Sequence, residues 1–207
     1  MVVRKETGKK EKMKKFLLIV LIGIVVFLTT CFVAFSSYKV HVLQELKQKD
    51  DNINKVWSSL YKKSSNRLML IEKLSNVSEC DKSIDSMIIK NKNNRDPNKV
   101  DEFWDLEYNT NKVYLQLKEC FEDKAINDPN LSLTNFNAEK LNKVVENYNA
   151  NVLDFNKYYS TFPNFIFGSK KGYKRKKFFY LKYGEDNEEY YNQKKKTEKW
   201  VETGKWE

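Results

Sequence analysis

A run of twenty uncharged residues, FLLIVLIGIVVFLTTCFVAF at positions 16–35, constrains this chain more than any other feature. As a helix rising about 1.5 Å per residue it reaches ~30 Å, the thickness of a bilayer's hydrocarbon layer. Before it stand Arg4, Lys5, Lys9, Lys10, Lys12, Lys14 and Lys15 against Glu6 and Glu11. That flank predicts a cytoplasmic tail, with the rest of the chain on the far side of a cell membrane. The downstream part is also basic, with 31 cations and 26 anions, but large domains cross largely regardless of their charge. A cleaved signal peptide would have a shorter apolar core and a small-residue exit, and Ala34-Phe35-Ser36 is a poor exit. Leu28-Thr29-Thr30-Cys31 has the outline of a lipoprotein box, with Thr30 where Gly, Ala or Ser is usual. Cys31 is therefore read as a small residue of the span, with lipidation as the alternative.

The second constraint is punctuation. No glycine occurs between Ser36 and Phe162, and the only prolines there are Pro97 and Pro129. A β-rich domain of that length needs turn residues every ten or so positions, so long helices are predicted, bounded near Pro97, Pro129 and Pro163. In the last helix Ala138, Leu141, Val145, Tyr148, Val152, Phe155, Tyr159 and Phe162 follow alternating steps of three and four, a coiled-coil-like seam. The middle helix offers Phe103, Leu106, Val113, Leu117 and Cys120, interrupted by Thr110 and widened by Trp104, Tyr114 and Phe121. The first, from Ser37 to Ile89 with a break expected near Asn76-Val77-Ser78, offers Leu43, Leu46, Ile53, Trp57, Leu60, Ile71 and Leu74, with Asp50, Ser64 and Arg67 as exceptions. The reading is all-α: a transmembrane helix followed by a long antiparallel bundle of three to four helices. The boundaries are a basic tail at 1–15, the span at 16–35, the bundle at 36–165 and a basic, aromatic extension at 166–207.

Several pairs on the last helix and beyond carry a family resemblance. Tyr148-Asn149, Val152, Asp154-Phe155-Asn156 and Phe162-Pro163 resemble the signature of the LemA family. Phe165-Ile166-Phe167-Gly168, Gly172-Tyr173 and Phe178-Phe179 are similar to that family's exit from its bundle. Val56-Trp57-Ser58, within 38–60, is similar to its first helix, and Arg67 with Leu70-Ile71 to the next segment, where Glu72 replaces the usual proline. The resemblance covers residues 38–182. It implies a single N-terminal anchor followed by an antiparallel helical bundle, and brings no catalytic residue with it.

Catalytic and cofactor classes find little support in the residues themselves. One histidine allows no multi-His metal site, three widely spaced cysteines make no CxxC motif, and six scattered glycines form no phosphate loop. His41 reads as a surface residue, with no adjacent carboxylate to make it a pH sensor. Acidic neighbours such as Asp50-Asp51, Asp101-Glu102, Glu122-Asp123 and Glu188-Glu189 point in different directions on a helix and read as solvated. Asn76-Val77-Ser78 and Asn130-Leu131-Ser132 fit the glycosylation pattern but are chance matches in an asparagine-rich chain. Cys80 and Cys120 come opposite each other if the turn lies near residue 100. They are ~15 Å apart along the axis if it lies near 95, so bridge and free thiols both stay open.

The one concentrated feature left is basic and aromatic: Lys170, Lys171, Lys174, Arg175, Lys176 and Lys177, interleaved with Tyr173, Phe178, Phe179 and Tyr180, and followed by Lys194-Lys195-Lys196. It suits an anionic partner. Nucleic acid is not expected outside the cytoplasm. With three long helices, the segment is expected at the far end of the bundle, well beyond a Debye length of ~8 Å from its own bilayer. The function expected is a membrane-anchored, non-enzymatic interaction or scaffold module with no metal and no cofactor, its partner a protein or a second copy of the chain. The alternative is a tethered binder of anionic surface polymer or lipid through the basic segment.

Overall fold

In the computed structural model, residues 3–77, 83–96, 100–124 and 126–203 are described. They form six helices and no strand: α1 (Val3–Val77), α2 (Ser83–Asn93), α3 (Val100–Asp123), α4 (Pro129–Ser160), α5 (Asn164–Lys170) and α6 (Glu188–Thr203). The all-α architecture is the one that the glycine-poor pattern implies. The span and the first bundle helix are one continuous helix, and it stops at Val77, inside the break expected at 76–78. Pro97, Ser78 and Cys80 lie outside the described residues.

Local chemistry sets the boundaries. Asp128 caps α4, its carboxylate accepting the Asn130 N–H at 2.6 Å, and Pro129 takes the first helical position, where a missing N–H costs nothing. Asp186 does the same for α6, accepting the Glu188 N–H at 2.9 Å. The Asn94 side chain donates back to the Lys90 carbonyl at 3.0 Å where α2 ends.

The described chain divides into two compact units. The first joins Met1–Gln48 with Lys157–Lys174, and the second joins Lys49–Asn156 with Arg175–Glu207. The extension expected at 166–207 is shared between the two units, its residues up to Lys174 in the first and those from Arg175 in the second.

In the second unit, cross-contacts give the helix directions. Lys49 meets Asp154 at 2.6 Å and the Trp57 ring lies tilted 5.5 Å from that of Tyr148, so α1 and α4 are antiparallel. Asn91 donates to Thr110 at 3.2 Å and Arg95 pairs with Glu107, which makes α2 and α3 an antiparallel pair. The core gathers Trp57, Phe103, Tyr148 and Phe179, with Trp57 5.1 Å from Phe103 and 6.0 Å from Phe179. A second cluster joins Leu68, Ile71 and Leu74 of α1, Ile84 and Ile88 of α2, and Val113, Tyr114, Leu117 and Phe121 of α3. The seam of α4 is buried from Ala138 to Phe155, but Tyr159 is only half-buried and Phe162 is 74% exposed. The three–four rhythm outlasts the helix, which ends at Ser160, so Phe162 falls on a turn. Ser64 and Arg67, exceptions to the apolar stripe of α1, are fully buried; Asp50, the third, is half-buried and pairs with Lys176.

Val152 is 0% exposed on that seam. Val152→Asp should bury an unpaired charge and cost several kcal/mol out of a total on the order of 10 kcal/mol. The exposed Lys157→Asp should change a circular-dichroism melt by about 0.5 kcal/mol or less.

Candidate functional site

Residues 173–182 form neither helix nor strand, yet their backbone is held at regular intervals. Asn156, Asn149 and Asn142 sit seven residues apart on α4, so they share a stripe and are ~10.5 Å apart along the axis. Each side-chain amide grips one residue twice, matching one donor and one acceptor to a backbone C=O and N–H. Asn156 Oδ1 accepts from the Lys176 N–H at 2.8 Å and its Nδ2 donates to the Lys176 carbonyl at 2.9 Å. Asn149 holds Phe179 in the same way at 2.8 and 2.8 Å. Asn142 holds Tyr183 at 2.8 and 3.1 Å. Three or four residues of uncoiled chain cover ~10–13 Å, which matches the spacing of the amides. Tyr148 Oη donates to the Lys177 carbonyl at 3.1 Å between two of these clamps.

Asn111 on α3 closes the series, accepting from the Gly184 N–H at 2.8 Å and donating to the Glu185 carbonyl at 2.7 Å. Gly184 takes φ +83°, a conformation that L side chains rarely adopt. The helix that follows docks by its rings: Tyr191 lies 3.9 Å from Tyr108 and 5.4 Å from Trp104, nearly parallel to both. Lys195 pairs with Asp105 at 2.9 Å, and the Lys194 ammonium lies 4.3 Å from the Trp104 ring centre.

Beneath this segment lies a group of buried charges. Arg67 and Glu107 are 0% exposed. Arg95 pairs with Glu107 and donates to Ser64 at 2.9 Å, while Tyr183 donates to the other Glu107 oxygen at 2.7 Å. Arg67 donates to Asn111 at 3.0 Å and lies over the rings of Tyr114 and Tyr183, 4.8 and 5.1 Å from their centres. Its Nε and Nη1 have no hydrogen-bond partner among the described residues. Burial lowers the Arg67 pKa, opposed by the Glu107 charge. Burial first, then the charge of Glu107 and the hydrogen bond to it, push the Tyr183 phenol well above its usual range. Sequence periodicity marked Arg67 only as an exception, and nothing local marks Glu107, Arg95 or Tyr183.

The six basic residues read as an anionic-partner site are not one set. Lys170, Lys171 and Lys174 belong to the first unit, and Arg175, Lys176 and Lys177 to the second. Five are exposed, whereas Lys176 is half-buried, pairs with Asp50 and lies 5.6 Å from the Phe155 ring centre. The interleaved aromatics are partly spent on packing. Phe179 is 0% exposed in the core, and Phe178 stacks on Tyr180 at 5.5 Å. Nor does the segment begin far from the apolar run: Phe167 lies 5.4 Å from Phe35, the last residue of that run. The expectation of a distal position rested on three long helices; the first of them breaks after Val77, and α4 runs antiparallel to α1, so that its end lies by Glu45 and Tyr38.

His41 is exposed. Cys120 is disulfide-bonded and Cys31 is free and exposed. Among the described residues no three His, Cys, Asp or Glu side chains converge as metal ligands. Open grooves lie among the described residues of the second unit. One, of about 680 Å³, runs between α4, residues 179–182 and the start of α6, and its lining includes Glu146, Glu185, Asp186 and Glu189 together with Tyr180 and Tyr190. Another, of about 510 Å³ between α1 and α4, is lined by amides with Lys55 and Lys63. No family model, curated protein or solved structure matches the chain.

Asn149→Ala removes both hydrogen bonds to Phe179. It should cost about 1–3 kcal/mol and speed tryptic cleavage at 175–177, read by limited proteolysis, with the locally bonded Asn151→Ala close to the parent. The neutral Tyr183 phenol stabilises the fold below its unfolded pKa near 10, and that stability is lost as pH rises toward the folded value. Tyr183→Phe should lower stability at neutral pH by about 1–3 kcal/mol and flatten the fall in melting temperature above pH 10.

Proposed function

We propose that this chain is a LemA-like, single-pass membrane protein that serves as a non-enzymatic interaction or scaffold module, with its amino terminus in the cytoplasm and its folded units outside. The observation that carries the reading is α1. Its most apolar 18-residue window has a mean hydropathy of 3.0 and is 0% buried, so none of the described residues covers a surface of the length and composition that a bilayer covers. The cations that precede it favour the stated orientation. So does the disulfide at Cys120, since such bonds persist in oxidising compartments. The LemA resemblance gains a physical meaning, because Tyr148, Asn149 and Asn156, three residues that carry it, all grip the segment 176–179.

A second reading, a tethered binder of anionic surface polymer, draws on the exposure of Lys170, Lys171, Lys174, Arg175 and Lys177. One experiment addresses location: a membrane-impermeant amine reagent on intact cells should label lysines 170–177 and spare lysines 9–15. The reverse pattern overturns the orientation. Another separates the two readings in nanodiscs holding the full chain. If neutralising all six basic residues leaves binding to an anionic polymer at low salt unchanged, the polymer reading fails. Turnover of a substrate that a single replacement abolishes without unfolding would overturn the non-enzymatic one.

A further inference from the structure

Inside the first unit, the end of the apolar run meets the corner that follows α4. Phe35 closes the run, and its ring stands edge-on 5.4 Å from Phe167. Tyr38, about 4.5 Å further along α1, lies 6.3 Å from Phe167 and donates to Asn164 Oδ1 at 3.0 Å. Gly168 fixes how closely α5 approaches, since a Cβ there would stand 2.9 Å from the Tyr159 ring and 3.0 Å from Leu46. The polar layer on each side of a bilayer's hydrocarbon is roughly 5–8 Å deep. The corner at 162–167 therefore packs on the turn of α1 that lies in this layer when residues 16–35 span.

The surface of that corner suits the layer. Phe162 is 74% exposed and Phe165 41%, with ring centres 6.4 Å apart. Lys170, Lys171 and Lys174 follow, all exposed and with no ion pair among the described residues, and Lys39, next in sequence to Tyr38 on α1, is exposed too. Two bare rings cost free energy in water, whereas aromatic side chains are favoured at the membrane–water boundary. Lysines near an anionic surface each raise local preference about fivefold.

We propose that this corner is a second membrane contact: Phe162 and Phe165 enter the interface of the bilayer that α1 crosses, and Lys170, Lys171 and Lys174 bind the phosphates of anionic lipids there. The proposal rests on the reading of α1 as an anchor. Continuity with the span selects lipid over a protein partner, because Phe167, two residues after Phe165, packs on Phe35 where the apolar run of α1 ends. The lysines add the charge complementarity.

The test uses the full chain in vesicles of phosphatidylcholine with or without phosphatidylglycerol. Phe162→Trp and Phe165→Trp each add one fluorophore at an exposed position, read as the difference from the parent. The added emission should be quenched by lipids brominated near the headgroup end of their chains. Lys170→Gln, Lys171→Gln and Lys174→Gln together should lower the enrichment of phosphatidylglycerol among co-purified lipids several-fold. Resistance to carbonate extraction reports the anchor separately. If the chain resists carbonate but neither added tryptophan is quenched, the corner is not in the bilayer and the proposal falls while the anchor stands. Blue-shifted but unquenched emission assigns the corner to a protein partner instead. Unchanged lipid enrichment in the triple variant overturns the role of the lysines, and release by carbonate overturns anchor and corner together.

Discussion

Side-chain amides on one stripe of α4 take the place of a neighbouring strand. An uncoiled segment packed on helices leaves its backbone N–H and C=O groups without the partners that a sheet would supply, and an unpaired buried group is costly. Asn156, Asn149 and Asn142 satisfy those groups at Lys176, Phe179 and Tyr183, two bonds each. Their seven-residue spacing works because two helical turns are nearly as long as three or four residues of uncoiled chain. Much of the second unit depends on this register. It delivers Phe179 to Trp57 and Phe103, Tyr183 to Glu107, and the turn at Gly184 to Asn111.

The buried charges follow from the same placement. Two guanidinium groups and one carboxylate sit out of water, a costly arrangement unless the geometry is filled. Tyr183 occupies the second oxygen of Glu107 and offers its ring face to Arg67, so one residue of the clamped segment serves both charges. A buried pair of this kind contributes little net stability against an apolar substitute, but a shift of the segment by one residue would take the phenol donor from the second Glu107 oxygen and the Tyr183 ring from Arg67. The amide series and the charge group therefore reinforce the same register.

The first unit shows a different economy. An antiparallel return by α4 ends beside the same stretch of α1 that follows the apolar run, and Tyr158 feels Glu45 and Tyr38 there, with burial the larger cause of its raised pKa. The short α5 then sets the Phe167 ring edge-on to Phe35 and Tyr38, which stay exposed, as do Phe162 and Phe165. Lys170, Lys171 and Lys174 follow Phe167 within that same unit.

The all-α class and the bounds of α4 were legible in the sequence, because they depend on neighbours, whereas α5 and α6 fall in or at the edge of a segment read only as an extension. The scarcity of glycine, Asp128-Pro129 and the three–four rhythm act within a turn or two, and most of the seam of α4 is buried as that rhythm implies. The apolar run is legible for the same reason. Along that seam the rhythm misled at Phe162, which falls past the end of α4. What the segment after α4 does was not legible. Asn142, Asn149 and Asn156 look like solvated polar residues until a backbone lies across them, and Lys176 looks like its neighbours until Asp50, far away in sequence, comes beside it. Arg67 reads as a flaw in an apolar stripe because its partners come from α3 and from residue 183. Local pattern decided which residues are helical and which face of each helix is apolar. Tertiary structure alone decided which polar groups are paired, because hydrogen bonds and charges are satisfied by whatever the fold brings within about 3 Å, and sequence distance carries no information about that.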